Sequence, residues 1–343
     1  MTKLLPEDLV GHFFGVGSLG ETDPSVPQEY IKALKLPYTY SITALPEEDM
    51  IRQFAVLVDE FEEEGTFTLD VDFNTYREIT TNDEPLMLDK EHGHSFYLMM
   101  DGRSYPFLKT QQTAPATMCF SIRDSNGKQL LTLGMFHFFQ RLMTRIAKGQ
   151  VNHLQDSCKT IIFCQDDPGL GHVLSMISQG LNIGLSPREI IQKTDSIYPS
   201  SVIPAFHYCD DWRQLEFDGW YPLWDSKPKL THIDVVRYPP EVNQDQVEKI
   251  NSFLKRGGGF ALGALPNVDD SYSRPIIETL QINLSQSMRL FSENGVDLDL
   301  VKRNTMVSTQ CGLSGASPGL SRRIHNESSK FQEIFFLTLE GSE

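Results

Sequence analysis

Residues 160–167, TIIFCQDD, form a short β-branched and apolar run that stops on two aspartates. Residues 186–199, SPREIIQKTDSIYP, start on a Ser-Pro pair and carry apolar residues at helical spacing. Residues 203–209, IPAFHYC, are a second short apolar run. A serine at the cap with proline in the first turn is a helix start. Strand, capped helix and strand in this order predict a βαβ unit. Its strands lie parallel because the helix carries the chain back to the same end of the sheet.

The same alternation extends in both directions. HFFGVGS (12–18), FTLDVDF (67–73), FLKTQQT (107–113), LTHIDVV (230–236), FALGALP (260–266) and TMVSTQC (305–311) complete a set of eight strand-like runs. Helical stretches separate most of them. PEEDMIRQFAVLVDEFEEEG (46–65) places Ile51, Phe54, Leu57, Val58 and Phe61 near a 3.6-residue period. LLTLGMFHFFQRLMTRIAKG (130–149) is apolar on two faces, and RPIIETLQINLSQSMRLFSENG (274–295) stops on Asn-Gly. Eight strands alternating with helices predict an α/β fold, a (β/α)8 TIM barrel. No Pro/Gly/Ser linker divides the chain, so 1–343 reads as one catalytic domain. Residues 74–106 have weak periodicity and read as an insertion after strand two, a lid or interface element. Residues 212–228 read as a shorter insertion after strand five.

Composition narrows the partners. The 343 residues include 30 basic and 46 acidic ones, a net charge of −16. So negative a surface repels nucleic acid and anionic membranes. No run reaches the ~20 apolar residues that span a bilayer. The N-terminus lacks the layout of a signal peptide, so the expected location is the cytoplasm. Five thinly spread cysteines, Cys119, Cys158, Cys164, Cys209 and Cys311, do not form a disulfide framework. They are expected as thiols.

In such a barrel, chemistry sits at the C-terminal ends of the strands. Those ends carry Gly17 and Ser18, then Asp166-Asp167-Pro168, then His207 and Cys209, then Asp234, then Cys311-Gly312. His207 and Cys209 are two apart on a strand and face the same way. Each cysteine or histidine taken singly also reads as a core residue. Together at strand ends, His207, Cys209 and Cys311, with Asp234 between them, predict a zinc site. An open zinc position would keep an incoming thiol ionised at neutral pH and so ready to accept a methyl group. His232 alternates onto the face of Asp234 and reads either as support behind the ligands or as core. His92 and His94 read as surface residues. GGGFALGALP (257–266) is not a phosphate loop, because it lacks the Lys-Ser/Thr element.

These residues resemble a known family. GVGSLGETDP (15–24), KTQQTAPAT (109–117), FCQDDPGLG (163–171), FHYC (206–209) and STQCGLSG (308–315) occur in the order found in the C-terminal catalytic barrel of cobalamin-independent methionine synthase. That barrel belongs to the wider group that includes uroporphyrinogen decarboxylase. The resemblance implies zinc ligands at His207, Cys209 and Cys311, with the family's glutamate ligand replaced by Asp234 and Glu241 as its rival. It implies substrate contacts at Ser18 and Asp166, with Asp72 as a second amine-binding acid. The implied reaction passes a methyl group to a homocysteine-like thiol from a methylated corrinoid, its carrier protein or a folate, giving methionine. A coenzyme M alkyltransferase and a non-catalytic zinc- or corrinoid-handling protein are the alternative readings. A porphyrin-type decarboxylase would need arginines near strand one, where this chain has none. Trp212, Trp220 and Trp224 are expected to pack the second insertion or to form a corrinoid-facing patch.

Overall fold

The computed structural model describes residues 4–62 and 66–340. The strands in chain order are β1 (Phe13–Phe14), β2 (Ser18–Leu19), β3 (Ser41–Ile42), β4 (Phe61–Glu62), β5 (Thr68–Leu69) and β6 (Tyr105–Thr113). They continue with β7 (Cys158–Asp166), β8 (Ile203–His207), β9 (Leu230–Asp234), β10 (Gly259–Leu265) and β11 (Thr305–Thr309). Seven of these form one sheet in the order β1-β11-β10-β9-β8-β7-β6. Every pairing in it is parallel. All residues of β9, β10 and β11 are buried. Strands covered on both faces read as continuous apolar runs, which is why their sequences show little alternation.

The helix boundaries follow local chemistry. Ser186 and Glu189 form a capping box that starts the helix Pro187–Asp195. Thr132 caps the long helix Leu133–Leu154 through the Met135 amide. The helix Ile276–Asn294 ends where Gly295 turns left-handed at φ 91°. No helix among the described residues is long and apolar enough to cross a membrane.

Two sequence expectations fail, both in the N-terminal third. Residues 46–65 do not form one helix. They contain a 3-10 turn at Pro46–Glu48, a single helical turn at Arg52–Ala55 and β4, while 63–65 lie outside the described residues. Asp49 explains the break. Its carboxylate accepts the Ile51 and Arg52 amides at 2.8 and 3.1 Å, a local turn that competes with a continuous helix. Ile51, Phe54 and Val58 still bury their side chains, so the apolar spacing reflects tertiary packing.

Residues 67–73 are not a strand of the main sheet. β5 pairs antiparallel with β4 in a small ribbon, and Asp72 caps the helix Phe73–Thr81. Residues 37–43 run between the two sheet edges instead. The Thr39 amide donates to Lys109 O at 2.9 Å, and the Lys109 amide donates to Pro37 O at 2.8 Å. On the other side, the Ser41 and Thr43 amides donate to Gly17 O at 3.1 Å and Leu19 O at 3.3 Å. The sheet curls, and this segment bonds to the β6 edge on one side and to Gly17 and β2, just beyond β1, on the other. PYTYSIT (37–43), rich in Tyr, Thr and Ile, carried a strand signal of its own.

The stretch 74–106 packs on the helix Leu133–Leu154. Arg145 of that helix donates to Glu84 O and to the Glu78 carboxylate. Of the three tryptophans after β8, only Trp220 is half-buried, with Arg188 over its ring. Trp212 and Trp224 are buried and meet edge to face at 6.0 Å. The Trp212 indole donates to Asp234 O and Tyr238 O, tying the tract after β8 to the end of β9.

Candidate metal centre

β8 ends on His207, with Cys209 two residues beyond it; Cys311 lies two residues beyond the end of β11. β9 and β10 separate β8 from β11 in the sheet, so only the curl brings these ends together. One ligand atom from each of His207, Cys209 and Cys311 lies within 4.8 Å of the others. Cys311 Sγ is 3.7 Å from His207 Nε2.

The electrostatics are those of a linked pair of thiols. Cys311 is held well below the usual thiol range, chiefly by the Cys209 S–H donated to it, with His207 adding to this against the effect of burial. The same bond, together with burial, pushes Cys209 up. Burial works against a charge on His207, but the bond to Cys311 and that thiolate's charge outweigh it, so its pKa is raised. Of the three groups, Cys311 is thus the readiest to ionise and Cys209 the least. A soft cation that displaces protons from sulphur and nitrogen suits this donor set.

Asp234 does not join the three. Its Oδ1 accepts the Val236 and Arg237 amides at 2.9 and 2.8 Å. Burial is the main cause that pushes its carboxyl up to about 6. That turn at the end of β9 holds Oδ1, while Oδ2 faces Arg237 Nε at 3.9 Å. Glu241 is exposed and also lies outside the group. Asp72 is exposed, and its carboxylate is engaged with the Thr75 amide at 2.8 Å as a helix cap. The structure therefore does not bring Asp72 to the site.

Ser18 and Asp166 do reach it. A cavity of about 330 Å³ opens above the three ligands, lined by Ser18, Asp166, Gln111, Met50, Phe54 and Phe96 among others. A Cβ on Gly312 would stand 2.0 Å from Ser18 Oγ, so only glycine lets these two strand ends approach this closely. Asp166 Oδ1 is buried without a hydrogen-bond partner. Burial raises the Asp166 pKa, with Lys109 and His207 opposing. A buried carboxylate oxygen left unpaired inside a cavity is a vacant acceptor for a ligand's donor.

The neighbouring aspartate has a different task. Asp167 Oδ1 accepts the Thr117 amide at 3.1 Å and its hydroxyl at 2.7 Å, anchoring the helix Pro115–Ser121. Burial pushes its carboxyl up to about 7 against those bonds. A carboxyl raised in the folded state is protonated more easily there than in the unfolded chain. The stability it contributes is therefore present at low pH and lost as pH rises toward 7. Asp167→Asn keeps the acceptor for Thr117 and removes that loss. The melting temperature of the variant should gain on the parent between about pH 4 and about pH 7. The gain should be a few kcal/mol at most, because each tenfold change in proton affinity is worth about 1.4 kcal/mol. Thermal melts that keep a constant gap across this range would refute it.

Several site residues went unread in the sequence. Lys109 is wholly buried beneath the cavity. Its ammonium donates to Val16 O at 2.6 Å and Gln111 Oε1 at 2.8 Å and lies 5.0 Å from the Phe14 ring. A lysine inside the apolar run FLKTQQT was the available signal. Glu48, also on the cavity wall, accepts the His94 amide at 3.0 Å and its Nδ1 at 2.9 Å. His94 is thus a half-buried tie between two loops, and Gly93 and Phe96 of its segment line the cavity.

Comparison with solved structures places the fold. A B12-independent methionine synthase from Shewanella sp. W3-18-1, in complex with selenomethionine, superposes with a TM-score of 0.56. The match covers 97% of this chain and 99% of that one, at 12% identity. A putative vitamin-B12 independent methionine synthase from Listeria monocytogenes matches at a TM-score of 0.46 and 12% identity, over 95% and 96% of the two chains. The chain matches no protein-family model, and no curated protein matches it in sequence. At such low identity the likeness is one of fold.

Proposed function

We propose that this chain is a zinc-dependent methyltransferase with a homocysteine-like thiol as acceptor and methionine as product. The observation that carries the reading is the convergence of one imidazole and two thiols at the floor of a cavity with a free buried carboxylate oxygen. We read the curled sheet as a closed (β/α)8 barrel in which residues 37–42 supply the second stave. The site then lies where barrel enzymes keep their chemistry.

His207, Cys209 and Cys311 would hold the zinc and leave a fourth position for the substrate. Bound there, zinc would lower the pKa of an incoming thiol so that it ionises at neutral pH. The chain's own residues do the rest. Asp166 accepts the substrate ammonium, orienting its sulphur toward the floor. Ser18, set against Gly312 in the cavity lining, bonds the carboxylate end of an amino acid. Met50, Phe54 and Phe96 exclude water around the transferring methyl. The methyl moves to the acceptor sulphur as the new S–C bond forms. The donor–C bond breaks, and the donor keeps the electron pair. The donor is a methylated corrinoid or a methylated folate. The selenomethionine in the Shewanella structure supports an amino-acid thioether as the kind of product such a fold accommodates.

The test is direct. Zinc-loaded protein is mixed with homocysteine and either methylcobalamin or methyltetrahydrofolate, and methionine is measured. Methionine formed from one donor supports the reading, and none from either, with zinc present, refutes it.

A further inference from the structure

Behind the three ligands, His232 is fully buried on β9, with Phe14 tilted against it at 6.3 Å. Its Nδ1 lies 2.9 Å from His207 Nδ1, and its Nε2 lies 2.8 Å from the backbone oxygen of Thr309. The two imidazoles meet edge to face, with centroids 4.5 Å apart.

These contacts leave one consistent arrangement of protons. A carbonyl oxygen only accepts, so His232 Nε2 must carry a hydrogen. One hydrogen lies between the two Nδ1 atoms, which are 2.9 Å apart. A histidine that gives its Nε2 lone pair to a metal carries its own hydrogen on Nδ1, so His207 is the donor of that bond and His232 Nδ1 the acceptor. On His207, Nε2 is the nitrogen that faces Cys311 Sγ at 3.7 Å. Thr309 closes the circuit, because its hydroxyl donates to Cys311 O at 2.7 Å. One buried chain of hydrogen bonds thus ties a strand-end histidine on β8 to the segment carrying the distant cysteine.

We propose that His232 is a positioning residue that fixes His207 as its Nδ1–H form and aims Nε2 at the two thiols as a ready metal ligand. Ligating histidines commonly donate their second N–H to a carboxylate, a backbone carbonyl or water. Here a neutral imidazole takes that place and adds no negative charge behind the metal. The inference rests on the zinc reading given above.

The experiment measures zinc affinity of the full chain by competition with a chromophoric chelator, alongside the absorption spectrum of the cobalt-loaded protein. His232→Phe keeps a buried ring but removes both hydrogen bonds. Its zinc affinity is expected to fall about 10- to 100-fold, the usual cost of losing such a partner. His232→Gln offers an oxygen to His207 and an N–H to Thr309. It should keep affinity and cobalt spectrum close to the parent's. Equal affinity in the parent and the Phe variant would overturn the proposal and leave the zinc centre standing. Equal losses in both variants would also overturn it, since the hydrogen bonds that Gln retains would then not be what sets the affinity. A parent that binds no zinc would bring down the centre and the proposal together. Imidazole nitrogen NMR of the parent needs no variant: a proton on His232 Nε2 is expected, and one on Nδ1 would refute the assignment.

Discussion

Cys311→Ser is expected to empty the metal site and abolish methyl transfer. Zinc should fall from about one per chain to a trace, because a serine hydroxyl does not ionise near neutral pH and is a poor zinc ligand. The Cys209 S–H then meets a neutral hydroxyl in place of a thiolate. If the metal supplies several kcal/mol to the chemical step, thiol methylation should drop by at least about a thousandfold. The fold should survive, since Cys311 is only half-buried in a segment held by the Thr309 hydroxyl. Asp234→Asn is the control. It preserves the oxygen that accepts the Val236 and Arg237 amides, and its zinc content should equal the parent's. Metal analysis and a methionine assay on these two variants decide the matter. Zinc retained in Cys311→Ser, or lost in Asp234→Asn, would reassign the ligands.

Asp166→Asn should weaken the amino-acid thiol without touching the metal. The substrate ammonium would lose a charged partner in a water-poor cavity, an interaction of about 1.5–3 kcal/mol. KM for homocysteine should then rise about 10- to 100-fold, with zinc content unchanged. Thiols that lack an amine should be handled alike by parent and variant. This comparison also separates the two acceptor classes. A parent that methylates a sulfonated thiol such as coenzyme M as readily as homocysteine, and an Asn variant that behaves the same, would remove Asp166 from substrate recognition.

The N-terminal third shows why part of the fold was hard to read. Apolar spacing over 46–65 matched a helix, yet Asp49 turns the backbone and Ile51, Phe54 and Val58 reach the core without one. FTLDVDF alternates like a stave, but its backbone pairs with β4 and with Arg123, and Asp72 caps a helix. Periodicity records which residues are buried. It does not record what they are buried against. An aspartate at the end of such a stretch therefore reads as a site residue, although Asp72 caps a helix. The grouping of His207, Cys209 and Cys311 is easier to read, because they sit at or just beyond the ends of strands whose apolar runs are unambiguous.

By itself, the sequence of residues determined the parallel strand–helix alternation from 105 onward, the helix caps at Ser186 and Gly295, and the placement of one imidazole and two thiols at strand ends. These are local properties, decided by side chains within a few residues of one another. Only the tertiary structure decided that residues 37–43 run between β6 and β2 and that Asp234 Oδ1 caps a turn. It alone separated Asp166, open to the cavity, from Asp167, bound to Thr117. It alone set His232 between His207 and Thr309. Each of these depends on which distant backbone groups a side chain meets when the sheet curls, and no local pattern encodes that meeting.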